Sequence, residues 1–169
     1  SKSYWKVLWD RIAGDEEVNI INVEDMESEE TQDADEIQVF KQIRHEIGIS
    51  PVRFGYRPEN MNFRHYEIDK NQNRAVLFYE YSGQIIQYSM YMNNTDSSYG
   101  RTELDQLVDE YQIKLKNNIS VDIKEYKVVN YDESRYVATF EYMDAQYQLM
   151  GIMKKDELNK MIENLFFYD

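Results

Sequence analysis

Residues 147–167 read YQLMGIMKKDELNKMIENLFF, and two periods meet inside that stretch. Tyr147, Leu149 and Gly151 alternate with Gln148 and Met150, the period of a strand whose two faces differ. From Asp156 the spacing changes: Leu158, Met161, Ile162, Leu165 and Phe166 fall on one helical stripe, with Asp156 in the N-cap position. A last strand followed at once by an amphipathic helix is predicted to fold back, so that the helix closes a core over the sheet. The letters KDEL at residues 155–158 look like a retention address, but that signal is read only at an extreme C-terminus. Here they start a helix.

Working upstream, the same two periods recur. The runs SVDIKEYKVV, RYVATFEYM and QYQLMGIM read as strands, and their links, NYDES and MDA, are short enough for antiparallel neighbours. AVLFYEY, the turn SG and QIIQYSMYM read as a hairpin that sets Ile86, Tyr88, Met90 and Met92 on one face. MNFRHYEI alternates Met61, Phe63 and His65 against Asn62, Arg64 and Tyr66, while VRFGYRP is a short extended piece broken by Pro58. Over residues 34–47, Ile37, Phe40, Ile43 and Ile47 form an amphipathic helix ended by Gly48 and Pro51. In RTELDQLVDEYQIKL, a Thr102 cap with Leu104, Leu107, Val108 and Tyr111 at helical spacing predicts a further helix. The fold class expected is α+β: a single antiparallel sheet of about six strands with helices packed on one face and the C-terminal helix closing the core. The alternation of helix and strand runs hints at two related halves.

Three regions follow. Residues 1–14 contain SYWKVLWDRIAG, whose Trp5, Leu8, Trp9 and Ile12 make a short helical stripe between a Ser3 cap and a Gly14 stop. Such a helix is marginal alone; Trp5 and Trp9 either meet a partner or a membrane surface, or dock on this domain's own sheet. Residues 15–35 are an acidic connector, expected to be mobile because it offers few apolar anchors. Residues 36–169 form the α+β domain.

The formal charge of −13 is local in origin: residues 15–36 hold 11 of the 32 acids and no Lys or Arg, leaving 21 acids against 19 bases elsewhere. No basic stripe is present to neutralise phosphates, so nucleic acid is not an expected partner. With 169 residues the chain can bury roughly two thirds of its unfolded surface, so no staple is needed. Its 15 Tyr suit half-buried strand positions, where the ring packs and the hydroxyl stays wet. No apolar run reaches the roughly 18 to 20 residues of a membrane span. The chain begins at SKSYWKVLWD without Met, which reads as a trimmed piece whose targeting or membrane segment precedes it.

The absence of Cys excludes disulfides, thiolate zinc sites and Cys nucleophiles. His45 lies in a helix among charged residues and His65 in a strand, and neither comes with an evident ligand set or triad. The acidic stretch lacks the alternating ligands and central Gly of an EF-hand loop, and no Gly-rich phosphate loop occurs. Catalytic, cofactor-binding and metal residues are therefore none, and no cofactor is expected. Met90, Met92, Met143, Met150, Met153 and Met161 fill a core better than they line a groove.

Two stretches carry a family resemblance. GISPVRFGYRPENMNF resembles the entry segment, and YQLMGIMKKDELNKMIENLFF the closing strand and helix, of the bacterial family called domain of unknown function 4367. The likeness runs from about Phe40 to Phe167. The acidic insert departs from the family pattern. The family's motifs are packing motifs, so the resemblance assigns no catalytic residue. It implies a non-enzymatic, extracytoplasmic sensory or interaction domain of a single-pass, membrane-anchored protein of a Gram-positive bacterium, with sigma-factor regulation (an anti-sigma factor role) as its output. SYWKVLWDRIAGDEEV looks like the stretch just outside the membrane in such proteins. The partner is then a protein or cell-envelope ligand. The rival class is a soluble binding module for a peptide, glycan or lipid that uses a Tyr-rich sheet face. Trp5, Trp9, Tyr88 and Tyr147 are the candidate interaction residues.

Overall fold

The computed structural model describes residues 27–30, 36–93 and 105–168. In chain order the elements are β1 (Glu27–Glu30), α1 (Glu36–Ile47), β2 (Val52–Phe54), β3 (Asn62–Asp69), β4 (Arg74–Tyr81), β5 (Gln84–Met92), β6 (Gln106–Lys114), β7 (Ser120–Lys127), β8 (Arg135–Tyr142), β9 (Ala145–Ile152), α2 (Lys155–Glu163) and β10 (Leu165–Phe167). The N-terminal helix expected over residues 1–14, with Trp5 and Trp9, lies outside the described residues. So does most of the acidic connector, of which Glu27–Glu30 runs antiparallel to β3.

Strands β3, β4 and β5 form one antiparallel meander and β6 to β9 a second. Short turns set both. Ser82 and Gly83 join β4 to β5 with φ of 50° and 73°, and Met143 and Asp144 join β8 to β9 with φ of 48° and 65°, the left-handed pair of a two-residue hairpin. The meanders merge where β5 pairs with β9, from Gln87 opposite Met150 to Met92 opposite Ala145. The sheet order is β1-β3-β4-β5-β9-β8-β7-β6, seven long strands with the four-residue β1 on one edge.

One face of this sheet is the core. Tyr66, Leu77, Tyr88, Leu149, Ala138 and Ile123 lie in one row across it, each opposite the next, and every one of them is buried. Helix α1 packs there with Val39, Phe40, Ile43 and Ile47, and α2 with Leu158, Met161 and Ile162. Polar contacts fix each helix over its own half. Tyr66 donates to Gln42 at 2.9 Å and Tyr79 to Glu36 beneath α1; Tyr111 donates to Asn159 at 2.7 Å, and Lys155 bridges Asp109 and Glu125 at 3.2 and 3.7 Å beside α2. The separate β2–β10 pair lies across the same face, with Phe54 against Tyr88 at 4.6 Å between ring centres and Phe167 against Tyr142 at 4.9 Å.

The architecture is therefore mostly β, which corrects the expected α+β class with about six strands. The largest change is the segment assigned to a helix through Leu107, Val108 and Tyr111, which is β6. A short helix there would be marginal alone. As a strand, Tyr111 and Ile113 sit opposite Ile123 and Val121 of β7 and pack on the core, with Val and Ile at home in the ladder. The cost is that Leu107 and Val108 remain 46% and 47% exposed.

Smaller corrections have local causes. The closing helix stops at Glu163, so Leu165 and Phe166 belong to β10 rather than to the helical stripe. Its N-cap is Lys154 without a side-chain cap bond, and Asp156 instead accepts from the Glu157 amide at 3.0 Å. In β3 the strict alternation breaks at a bulge between Phe63 and His65. Phe63 and Tyr66 thereby share the core face and His65 turns to the other.

Candidate functional site

Two of the candidate interaction residues are central to the core. Tyr88 and Tyr147 are both 0% exposed; their hydroxyls donate to the Val52 carbonyl at 2.7 Å and the Ser50 carbonyl at 2.5 Å. Burial pushes both phenols above their ordinary pKa, as expected where the charged form loses its water. Each thus ties a central strand to the segment leading into β2. Trp5 and Trp9 lie outside the described residues.

Chemistry of a different kind lies on the opposite face. Because side chains alternate along each strand, the register carries one row across that face: Glu67, Val76, Ser89, Gln148, Thr139, Asp122 and Gln112, each opposite the next. All but Val76 are polar. At the β6 end the row is exposed and Gln112 donates to Asp122 at 2.5 Å. Toward β3 it is enclosed, with Glu67 at 1%, Ser89 at 0% and Gln148 at 5% exposure.

The enclosed end contains two hydrogen-bonded pairs. His65 Nε2 lies 3.0 Å from Glu67 Oε1, within hydrogen-bond distance. The His65 ring stacks on Phe78 at 5.7 Å. On β5, Gln87 Nε2 donates to Ser89 Oγ at 3.0 Å. At this end of the face, Glu67 Oε2, Gln87 Oε1 and Gln148 Nε2 are buried and hydrogen-bonded to no described residue. Leaving such a group unmatched costs about 1–3 kcal/mol, more for a charged one; two of these atoms are acceptors and one is a donor.

The geometry also limits what these groups do. Val76 stands between Glu67 and Ser89, and two strand spacings separate them by about 10 Å. His65, Glu67 and Ser89 therefore form no nucleophile relay, which needs hydrogen-bond reach at both links. What the arrangement offers is recognition through hydrogen bonds over a floor of Val76, Phe78, Ile85 and Met150. No group of three or more His, Asp and Glu side chains suited to a metal ion occurs among the described residues.

Sequence reasoning treated His65 as a strand residue without a role and passed over Glu67, Gln87 and Gln148. Alternation places Gln87 and Gln148 on the face away from the core, where polar residues are ordinarily solvated, but it puts His65 and Glu67 on the side of Met61 and Phe63, and only the bulge turns them away. Their enclosure has no sequence signal. Only the bulge that re-phases β3, turning His65 and Glu67 away from the face of Phe63, could have marked the spot.

A meander-on-meander sheet with helices and a small β pair over one face, and a partly enclosed polar row on the other, defines a mostly-β domain. The chain belongs to the family described as Domain of unknown function (DUF4367), whose profile matches residues 51–165. That match runs from the start of the β2 segment to β10 and so takes in both meanders. No curated protein and no solved structure matches the chain.

Proposed function

We propose that this domain is a non-enzymatic binding module, the extracytoplasmic sensory or interaction domain of a single-pass bacterial membrane protein whose signal reaches a sigma factor. The face of the sheet that carries Glu67, Gln87 and Gln148 is where its protein or cell-envelope ligand is met. The observation that carries the binding role is the set of three buried, unmatched polar atoms on adjacent parts of one face. A fold with no use for them would place apolar residues there at no cost. The membrane setting rests on the family resemblance. Among the described residues no helix is long and apolar enough to cross a membrane.

Two measurements test this. A phosphatase fused after residue 169 of the full-length gene product, active only outside the cytoplasm, is expected to be active; a silent fusion present at normal abundance rejects the extracytoplasmic reading. Cell-envelope fractions are expected to raise the melting temperature of the domain, and Glu67→Gln combined with Gln148→Leu to abolish that rise while the unliganded protein still melts cooperatively. A rise that survives the paired substitution removes the face from the role.

A further inference from the structure

Strand β6 ends the sheet. Its inner edge pairs with β7, and no strand pairs with its outer edge among the described residues. It is nine residues long, and an edge of that length presents a row of backbone donors and acceptors ready to take another strand. Most of its residues are exposed, and the bulge between Leu107 and Asp109 confines regular geometry to the half from Asp109 to Lys114.

That half is complementary to itself. Two copies related by a two-fold axis perpendicular to the sheet pair antiparallel and keep each face on its own side, so opposed residues must share a face. If the axis passes through Gln112, Glu110 of each copy stands opposite Lys114 of the other, and Tyr111 opposite Ile113. An axis through Glu110 sets two carboxylates against each other at the centre. One through Tyr111 leaves Glu110 opposite Gln112 and Asp109 opposite Ile113, with no charge matched. Opposite charges and aromatic with β-branched pairs are the combinations that stabilise facing strands. From this we propose that β6 is a homodimer edge: a second copy of the chain adds through its own β6, in the register centred on Gln112, to give one continuous sheet across two molecules. The inference stands apart from the ligand role of the polar face, since it rests on the edge and its charges alone. A single strand edge makes a small interface, so the dimer forms with rising concentration rather than permanently.

The chain has no cysteine, which gives a direct test. Gln112→Cys places one thiol per chain at the two-fold axis, opposite its own copy at a Cα separation of about 5 Å, within disulfide reach. Glu110→Cys sets the two thiols four residues apart along the pairing, about 13 Å, out of reach. Under mild oxidation the first variant is expected to give a covalent dimer and the second to stay monomeric; equal cross-linking, or none in either, overturns the register. Light scattering from micromolar to millimolar protein supplies the second arm. Lys114→Glu, which replaces two opposite-charge pairs with two like-charge ones, is expected to weaken the dimer roughly tenfold, and Glu110→Lys with Lys114→Glu to restore it. Because Glu110 also faces Lys124 of its own chain, melting temperature is followed in parallel to establish that each variant is folded. A parent that stays monomeric throughout, or a dimer indifferent to these charges, rejects the proposal.

Discussion

Tyr79, Tyr88 and Tyr147 bring large rings into the core and satisfy each hydroxyl there: Tyr79 on the Glu36 carboxylate, the other two on backbone carbonyls. Burial, the largest cause in each case, raises all three phenols above their ordinary 10.0. Above pH 10 the unfolded chain has therefore released protons that the native state still holds, and stability falls as pH rises. The contribution of these groups is whole below about pH 10 and is lost above it. Denaturation midpoints measured from pH 8 upward are expected to hold level and then drop past about pH 10, with tyrosinate absorbance from these three appearing only as the protein unfolds; early, non-cooperative ionisation would show that the rings are not sealed. Gly55 makes a different point about single residues. A Cβ there would meet the Asn164 carbonyl oxygen at 2.5 Å, a backbone atom that the Gly55 amide already holds at 2.8 Å. Gly55→Ala must push β2 from the end of α2, and is expected to cost on the order of 1–3 kcal/mol, read as a lowered denaturation midpoint.

Helix α2 supplies the contrast that shows what an element's apolar stripe is for. Met161 is fully enclosed against the core, while Lys160 beside it is exposed. Met161→Ala is expected to cost about 2–5 kcal/mol and Lys160→Ala under about 0.5 kcal/mol, by chemical denaturation of both beside the parent. Equal midpoints would mean that the stripe serves a partner instead. This helix was legible in the sequence because Leu158, Met161 and Ile162 repeat at a helical period that no strand would bury on one side. The hairpins at Ser82 and Asp144 were legible for similar reasons of turn chemistry and alternation. Strand β6 was not, since Leu107, Val108 and Tyr111 satisfy the helical template while Tyr111 and Ile113 satisfy the strand template equally; pairing with β7, a contact no local pattern reveals, decided it. The polar face stayed hidden for a related reason. His65, Glu67 and Gln148 look like any solvent-side strand residues until the whole sheet fixes how enclosed they are.

At the scale of the molecule, the two meanders depend on one seam. The β5–β9 pairing joins residues 87–92 to residues 145–150, and each helix covers mainly one meander, so the question is whether the halves fold together. The side chains favour a single unit. Tyr88 and Tyr147 lie on either side of the seam with rings 6.4 Å apart, and Phe54, from the β2–β10 pair, packs on both Tyr88 and Tyr79. Beneath them the Val52 and Ser50 carbonyls take hydroxyls from one strand of each meander, so separating the halves would strand buried acceptors as well as expose aromatic surface. Leu77 of β4 and Ile123 of β7 offer remote places to test this, both 0% exposed and four strand positions apart in the sheet, about 19 Å. Truncating either to Ala is expected to cost about 2–5 kcal/mol out of the roughly 5–15 kcal/mol that holds a domain of this kind. At that separation the two costs should add. If the seam makes one cooperative unit, Leu77→Ala lowers amide protection in β7 and β8 as much as in β3 and β4, and the unfolding transitions of the two halves coincide in either variant. A Leu77→Ala protein that loses protection in β3 to β5 while β7 to β9 remain protected would show two units, joined by the seam but not dependent on it.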